Sequence, residues 1–262
     1  MQKKFIILLV SVLVLELAAA GRYLLKGFSY GKEAVPAAVS FRNVAAENMV
    51  EAAKMEKNGS PEVGLSLPTA LNLQMTFYAQ APFGNWDYPW QEACEEASTL
   101  LVANTYFGYG WSADKFNDQI LRMVEWENQK FGDYKHTTVA QTAQIFNEYL
   151  GLKTVIHENP TFEDVKNILN KGHLIVMTFA GKLLGNPNFR NGGPNYHAMV
   201  IKGYKADSKI ITEDVGTRNG ENYVYSWGVI ANSLHDYAVP IESGGKRLIE
   251  VIPPTAEDPS TK

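Results

Sequence analysis

Apolar residues follow two different rhythms along this chain. Between about residues 93 and 170 they recur at helical spacing, and after Gly172 they come in short runs bounded by turn residues. Ahead of both, Leu71, Leu73, Met75 and Phe77 alternate with polar or smaller residues, which predicts a strand with one buried face. A loop punctuated by Pro82, Gly84 and Pro89 follows. The pattern then predicts a helix over Ala93–Phe107, with Ala97, Leu100, Leu101, Asn104 and Thr105 on one mostly apolar face. Ser112 caps the next helix, roughly Ala113–Phe131, whose apolar side carries Phe116, Ile120, Met123, Val124 and Phe131. A third helix runs from about Thr138 to Leu150 and stops at Gly151. After a strand at Leu152–Ile156, Thr161 followed by acids opens a helix that ends at Lys171-Gly172.

The later chain predicts strands at His173–Phe179, His197–Tyr204, Lys209–Glu213, Tyr223–Trp227 and Leu248–Ile252. A long Asn/Gly/Pro-rich loop, Gly181–Pro194, interrupts them, and Val229–Asp236 is a short helix. Helices first and strands afterwards make an α+β plan with an antiparallel sheet, not alternating βαβ units. The domain is expected over residues 67–253, with a polar tail at 254–262. Residues 21–66 are weakly patterned, hold Pro36 and the breaker Asn58-Gly59-Ser60-Pro61, and read as a linker or arm with a short helix at Val44–Lys57.

The first twenty residues change the picture. Lys3 and Lys4 precede the apolar run Phe5–Leu15, and Ala18-Ala19-Ala20-Gly21 follows. A charged start, a short apolar stretch and a small-residue site predict a signal peptide or an uncleaved membrane anchor over residues 1–20. The expected location is extracytoplasmic, secreted or anchored at the cell surface. Net charge is −4, and no basic cluster interleaves with aromatics, so a nucleic-acid partner is not expected. The chain has no metal-binding spacing, so no metal is expected, and it has no phosphate-binding loop.

Export sharpens the meaning of the single cysteine, Cys94. An exported chain with one thiol cannot close an internal disulfide, so the thiol is buried and inert, paired between chains, or used. Cys94 stands where the aromatic loop passes into a helix. The unpaired N–H groups and dipole there favour a thiolate, while Glu95 and Glu96 work against one, so a cationic partner has to outweigh them. Among five histidines, His197 opens a strand beside the long loop. The tight turn after that strand returns the chain to Asp214 at the same sheet end, where a carboxylate can hold the imidazole. Gln80, at the end of the first strand, can donate to a developing oxyanion alongside the Cys94 backbone N–H; Gln91 is the rival.

These blocks resemble a family. Phe77-Tyr78-Ala79-Gln80, Trp90-Gln91-Glu92-Ala93-Cys94-Glu95-Glu96-Ala97-Ser98, His197-Ala198-Met199-Val200-Ile201-Lys202-Gly203-Tyr204 and Glu213-Asp214 look like those of the C-thirty-nine-like cysteine peptidases, over roughly Leu71–Ile252. The resemblance implies a papain-like fold, a Cys94–His197–Asp214 triad with Gln80 as oxyanion residue, hydrolysis of a peptide bond without a cofactor, and a peptide or protein as substrate. Two features depart from the family pattern: Glu95-Glu96 replaces a small pair after the cysteine, and Val215 follows the aspartate where proline is common. Acyl transfer or amide hydrolysis on cell-wall peptides is an alternative outcome of the same machinery. A non-catalytic peptide- or glycan-binding module using the Trp86–Trp90 loop is another.

Overall fold

The computed structural model describes residues 33–58 and 67–254. The predicted signal or anchor segment lies outside the described residues, as do residues 59–66 of the arm and residues 255–262 of the tail. Helix α1 spans Phe41–Asn58. Strand β1 (Leu71–Asn72) leads through the loop to α2 (Cys94–Phe107) and α3 (Ala113–Phe131). Helix α4 (Val139–Gln144) continues as a wider π-type turn, Ile145–Tyr149. Then come β2 (Lys153–Glu158), α5 (Phe162–Asn170), β3 (Leu174–Ala180), β4 (Tyr196–Lys205), β5 (Lys209–Glu213), β6 (Tyr223–Ser226), α6 (Trp227–Ser233) and β7 (Arg247–Ile252). No helix among the described residues is long and apolar enough to cross a membrane.

Six strands form one antiparallel sheet in the order β2-β7-β3-β4-β5-β6, and β1 pairs with β4 off this path. The α+β plan read from the sequence is the one the chain adopts, with the cysteine-bearing α2 packed on β4 of the antiparallel sheet. Strands β3 and β4 are buried on both faces except at Lys205, which is why they read as continuous apolar runs. Their register pairs Phe179 with His197 and Val176 with Val200. Strand β4 bulges between Ile201 and Gly203, and a Cβ on Gly203 would stand 2.3 Å from the Leu71 carbonyl oxygen. Only glycine lets β1 approach there.

Three expectations need correction. The strand predicted at Leu71–Phe77 pairs only at Leu71–Asn72, because beyond Leu73 the chain leaves the sheet to carry Gln80 towards α2. Helix α2 has no solvent face: all its residues except Thr105 and Phe107 are buried, since it is enclosed by the sheet, α3 and the loop before it. Helix α6 starts two residues before the predicted Val229, at Trp227, because the Ser226 hydroxyl accepts from the Val229 N–H and so caps the helix there. Part of the stretch read as an arm lies against the domain. Val39 bridges Leu73, the Phe41 ring packs 4.8 Å from that of Tyr106, and Asn48 donates to the Asn170 carbonyl.

Candidate active site

Helix α2 begins at Cys94 itself. Its N-cap residue, Ala93, offers no side chain to the exposed N–H groups, so the first turn meets the site with backbone donors alone. Strand β4 runs beneath it. The backbone N–H of Ala198 is turned to the Cys94 sulfur, and Glu95 feels the charge of His197. The sulfur of the nucleophile candidate therefore lies against the residue that follows the base candidate on β4, and Glu95 lies between the two in reach of both.

His197 is held on every side. Its Nε2 lies 2.8 Å from Asp214 Oδ1, which leaves Nδ1 as the nitrogen for proton exchange. The Phe189 ring meets the imidazole edge-on at 5.3 Å. On another side stands Gly216, where a Cβ would fall 2.7 Å from His197 Cε1. Asp214 follows β5 directly and is fully buried. Its Oδ1 also accepts from the Gly216 N–H at 3.1 Å, and its Oδ2 accepts from Asn186 Nδ2 at 2.9 Å and the Tyr225 hydroxyl at 2.6 Å. The loop that brings Gly216 round closes at Gly220, where a Cβ would stand 1.8 Å from the Asp214 carbonyl oxygen. Burial pushes the Asp214 carboxyl up, but the His197 charge and these hydrogen bonds outweigh it and hold it below the ordinary range. Asp214 is thus an ionised, fully accepted partner for an imidazolium.

Gln80 is buried, and its backbone N–H donates to the Val215 carbonyl at 2.9 Å, which ties it to the loop after Asp214. Its Nε2 donates to the Trp90 carbonyl at 2.8 Å, four residues before Cys94. Gln91, its rival, lies at the surface: its backbone N–H donates to the Asp87 carbonyl and its side chain meets that of Glu92 at 3.5 Å. Of the residues expected from the sequence, His197 and Asp214 are bonded to each other, Cys94 lies against Ala198, and Gln80 is tied to the loop after Asp214; two that were not expected, Asn186 and Tyr225, hold the Asp214 carboxylate. Tyr225 sits on β6 next to β5, so its position beside Asp214 follows only from the strand order. Asn186 comes from the long polar loop, where nothing in the sequence marks it as buried at 3% exposure.

The acids beside the cysteine behave differently from a solvated helix start. Glu95 and Glu96 are both buried. The Cys94 thiol donates to Glu95 Oε2 at 2.8 Å. Burial pushes the Cys94 thiol well up, and Glu95 adds to it. The helix N-terminus does not win in the resting protein, so the expected gain of thiolate from the dipole is reversed. Burial also raises Glu95, to about 7, against the lowering effect of its bond to Cys94.

Glu96 faces Glu127 of α3, and no donor among the described residues meets an oxygen of either carboxyl, so a proton shared between the two is the ordinary remedy. Burial lifts Glu96 well above the carboxylate range and Glu127 to about 8. A carboxyl whose folded value is raised contributes stability that is complete below its ordinary value near 4.5 and is lost as pH rises through about 8. Glu127→Gln should therefore flatten the fall in melting temperature between those limits. It should be more stable than the parent near pH 8, by about 1–3 kcal/mol. An unchanged slope in thermal melts across that range would show that the pair is not protonated.

No curated protein matches the chain. A solved structure described as a C39-like peptidase from Bacillus anthracis is 14% identical, with 69% of this chain and 95% of that one covered at a TM-score of 0.41. UfSP from C. elegans is 12% identical, with 77% of this chain and 37% of UfSP covered at a TM-score of 0.33. A profile of the Peptidase_C39 like family matches residues 72–238, well over half of the 262 residues, and the span includes Gln80, Cys94, His197 and Asp214. The chain belongs to the Peptidase_C39 like family.

Proposed function

We propose that the protein is an exported cysteine peptidase in which Cys94 is the nucleophile, His197 the proton carrier, Asp214 the group that orients it and Gln80 an oxyanion donor. One observation carries the reading: the sulfur at the head of α2 lies against Ala198 of β4, and the residue before it, His197, has its Nε2 bonded at 2.8 Å to a buried carboxylate. The charged, then apolar, then small-residue pattern of the first twenty residues supports a place outside the cytoplasm.

The thiol is the resting form, so the thiolate arises by proton transfer to His197 Nδ1 and not by release to water. An imidazolium so formed is stabilised by Asp214. The sulfur then attacks the peptide carbonyl. The S–C bond forms and the carbonyl π electrons move to oxygen, which the Cys94 N–H and the Gln80 amide hold. His197 passes its proton to the leaving nitrogen, the C–N bond breaks, and a thioester remains. Water attacks the thioester with His197 as base, the acid leaves, and the thiol returns.

The test is incubation with a broad peptide library, read by mass spectrometry for new termini. Cleavage that is lost after iodoacetamide treatment is expected. A complete absence of cleavage, with peptides or their amides retained unchanged on the protein, would replace this reading with a binding module. Joined peptides in place of cleaved ones would replace hydrolysis with acyl transfer.

A further inference from the structure

The hydrogen bond that the Cys94 thiol donates goes to Glu95, not to His197. Two neighbours on one helix end seldom bond this way, because a carboxylate in the first turn ordinarily points to solvent. Here Glu95 is 1% exposed and its second oxygen, Oε1, has no donor among the described residues. A buried carboxylate oxygen without a donor is costly, and protonation is the ordinary remedy. The groups that face Glu95 are Cys94 and Glu96 on its own helix, Glu92 in the turn before it, Glu127 on α3, and His197 and Tyr196 on β4. His197 is the only one of these that can be cationic. The carboxyl therefore shares one small space with the reacting sulfur and the imidazole.

We propose that Glu95 is a further catalytic residue: neutral, it donates a hydrogen bond to the Cys94 thiolate; ionised, it holds the proton on sulfur and switches the nucleophile off. This role rests on the reading of Cys94 as nucleophile. Counting protons over Cys94, Glu95 and His197 shows why the two states differ. With two protons, the reactive arrangement is thiolate, neutral Glu95 and imidazolium. Its competitor moves one proton from Glu95 to sulfur, giving thiol, carboxylate and imidazolium. When one of these two protons is lost from the reactive arrangement and Glu95 is the group that loses it, a thiolate would stand 2.8 Å from a carboxylate oxygen, which like-charge repulsion forbids in a buried site. The value near 7 for Glu95 puts this change in the range where a peptidase works.

The test is the rate of Cys94 alkylation by iodoacetamide between pH 5 and 9 in the full chain, for the parent, Glu95→Gln and Glu95→Met. Glutamine copies the neutral carboxyl in shape and keeps a donor, so Glu95→Gln should react faster than the parent by about fivefold or more near pH 8 and match it near pH 5.5. Methionine fills the space without a donor, so Glu95→Met should be slower than the parent by about fivefold near pH 5.5. A melting curve on each variant establishes that it is folded. A ratio of Glu95→Gln to parent that does not change with pH would overturn the proposal. So would a Glu95→Gln rate below the parent near pH 8, the result expected of a general base. If parent and variants alike react no faster than the urea-unfolded chain at any pH, the nucleophile reading itself has failed, and the proposal with it.

Discussion

Cys94→Ser is expected to lower the cleavage rate of any peptide the protein hydrolyses by about 10⁴-fold or more, since removing a nucleophile costs most of the catalysis that a thiol–imidazole unit supplies. A serine hydroxyl fits the space of the thiol and can still donate to Glu95 Oε2, so the variant should fold and melt within about 1 kcal/mol of the parent. The loss should fall on kcat, with KM for the peptide little changed, because the groups that hold the substrate are untouched. Retention of more than about a tenth of the activity would place the nucleophile elsewhere.

Asp214→Ala should have the largest effect on the fold. Four donors converge on this one carboxylate: the His197 ring, the Gly216 N–H, the Asn186 amide and the Tyr225 hydroxyl. Truncation strands them in a fully buried site, which is expected to cost about 3–5 kcal/mol of stability. Asp214→Asn separates the two roles of the residue. It keeps the volume and an acceptor oxygen, so it should fold. It no longer stabilises an imidazolium, so kcat should fall by about 10³–10⁴-fold. Urea unfolding and steady-state kinetics on the two variants check this. Equal stability of parent and Asp214→Ala would mean that the four hydrogen bonds are not formed together.

The residues of the site were legible because the chain delivers them by short-range devices. Cys94 heads α2 because the loop with Pro82, Gly84 and Pro89 breaks regular structure before it, and the apolar spacing after Ala93 is helical. His197 and Asp214 reach one sheet end because a tight turn joins β4 to β5, and a hairpin fixes which residues lie at its open end. What was not legible depends on contacts between elements distant in sequence. Tyr225 reaches Asp214 because β6 lies beside β5, and Asn186 because a loop folds back over the sheet edge. Side-chain direction was also hidden: spacing places Glu95 next to Cys94 but does not tell that its carboxyl turns inward.

Glu127 did leave a signal. It lies four residues after Met123 and four before Phe131, on the apolar stripe of α3, where a charge has no solvent. A glutamate on such a stripe is either paired or protonated, and Glu96 on the facing helix supplies the answer. The strand at Leu71–Phe77 failed for the opposite reason. Its alternation is genuine, but a bulged β4 gives it only two partners before the chain turns away.

The central claim is that Cys94 and His197 exchange a proton inside the folded protein. The rate of Cys94 alkylation by iodoacetamide near pH 6, compared between the folded and the urea-unfolded chain, tests it most directly. An ordinary thiol has well under a hundredth of its population as thiolate there, so an imidazole-paired sulfur should react at least about tenfold faster in the folded chain, and the excess should vanish in His197→Ala. A folded chain that reacts no faster than the unfolded one, or an excess that survives His197→Ala, would contradict the account.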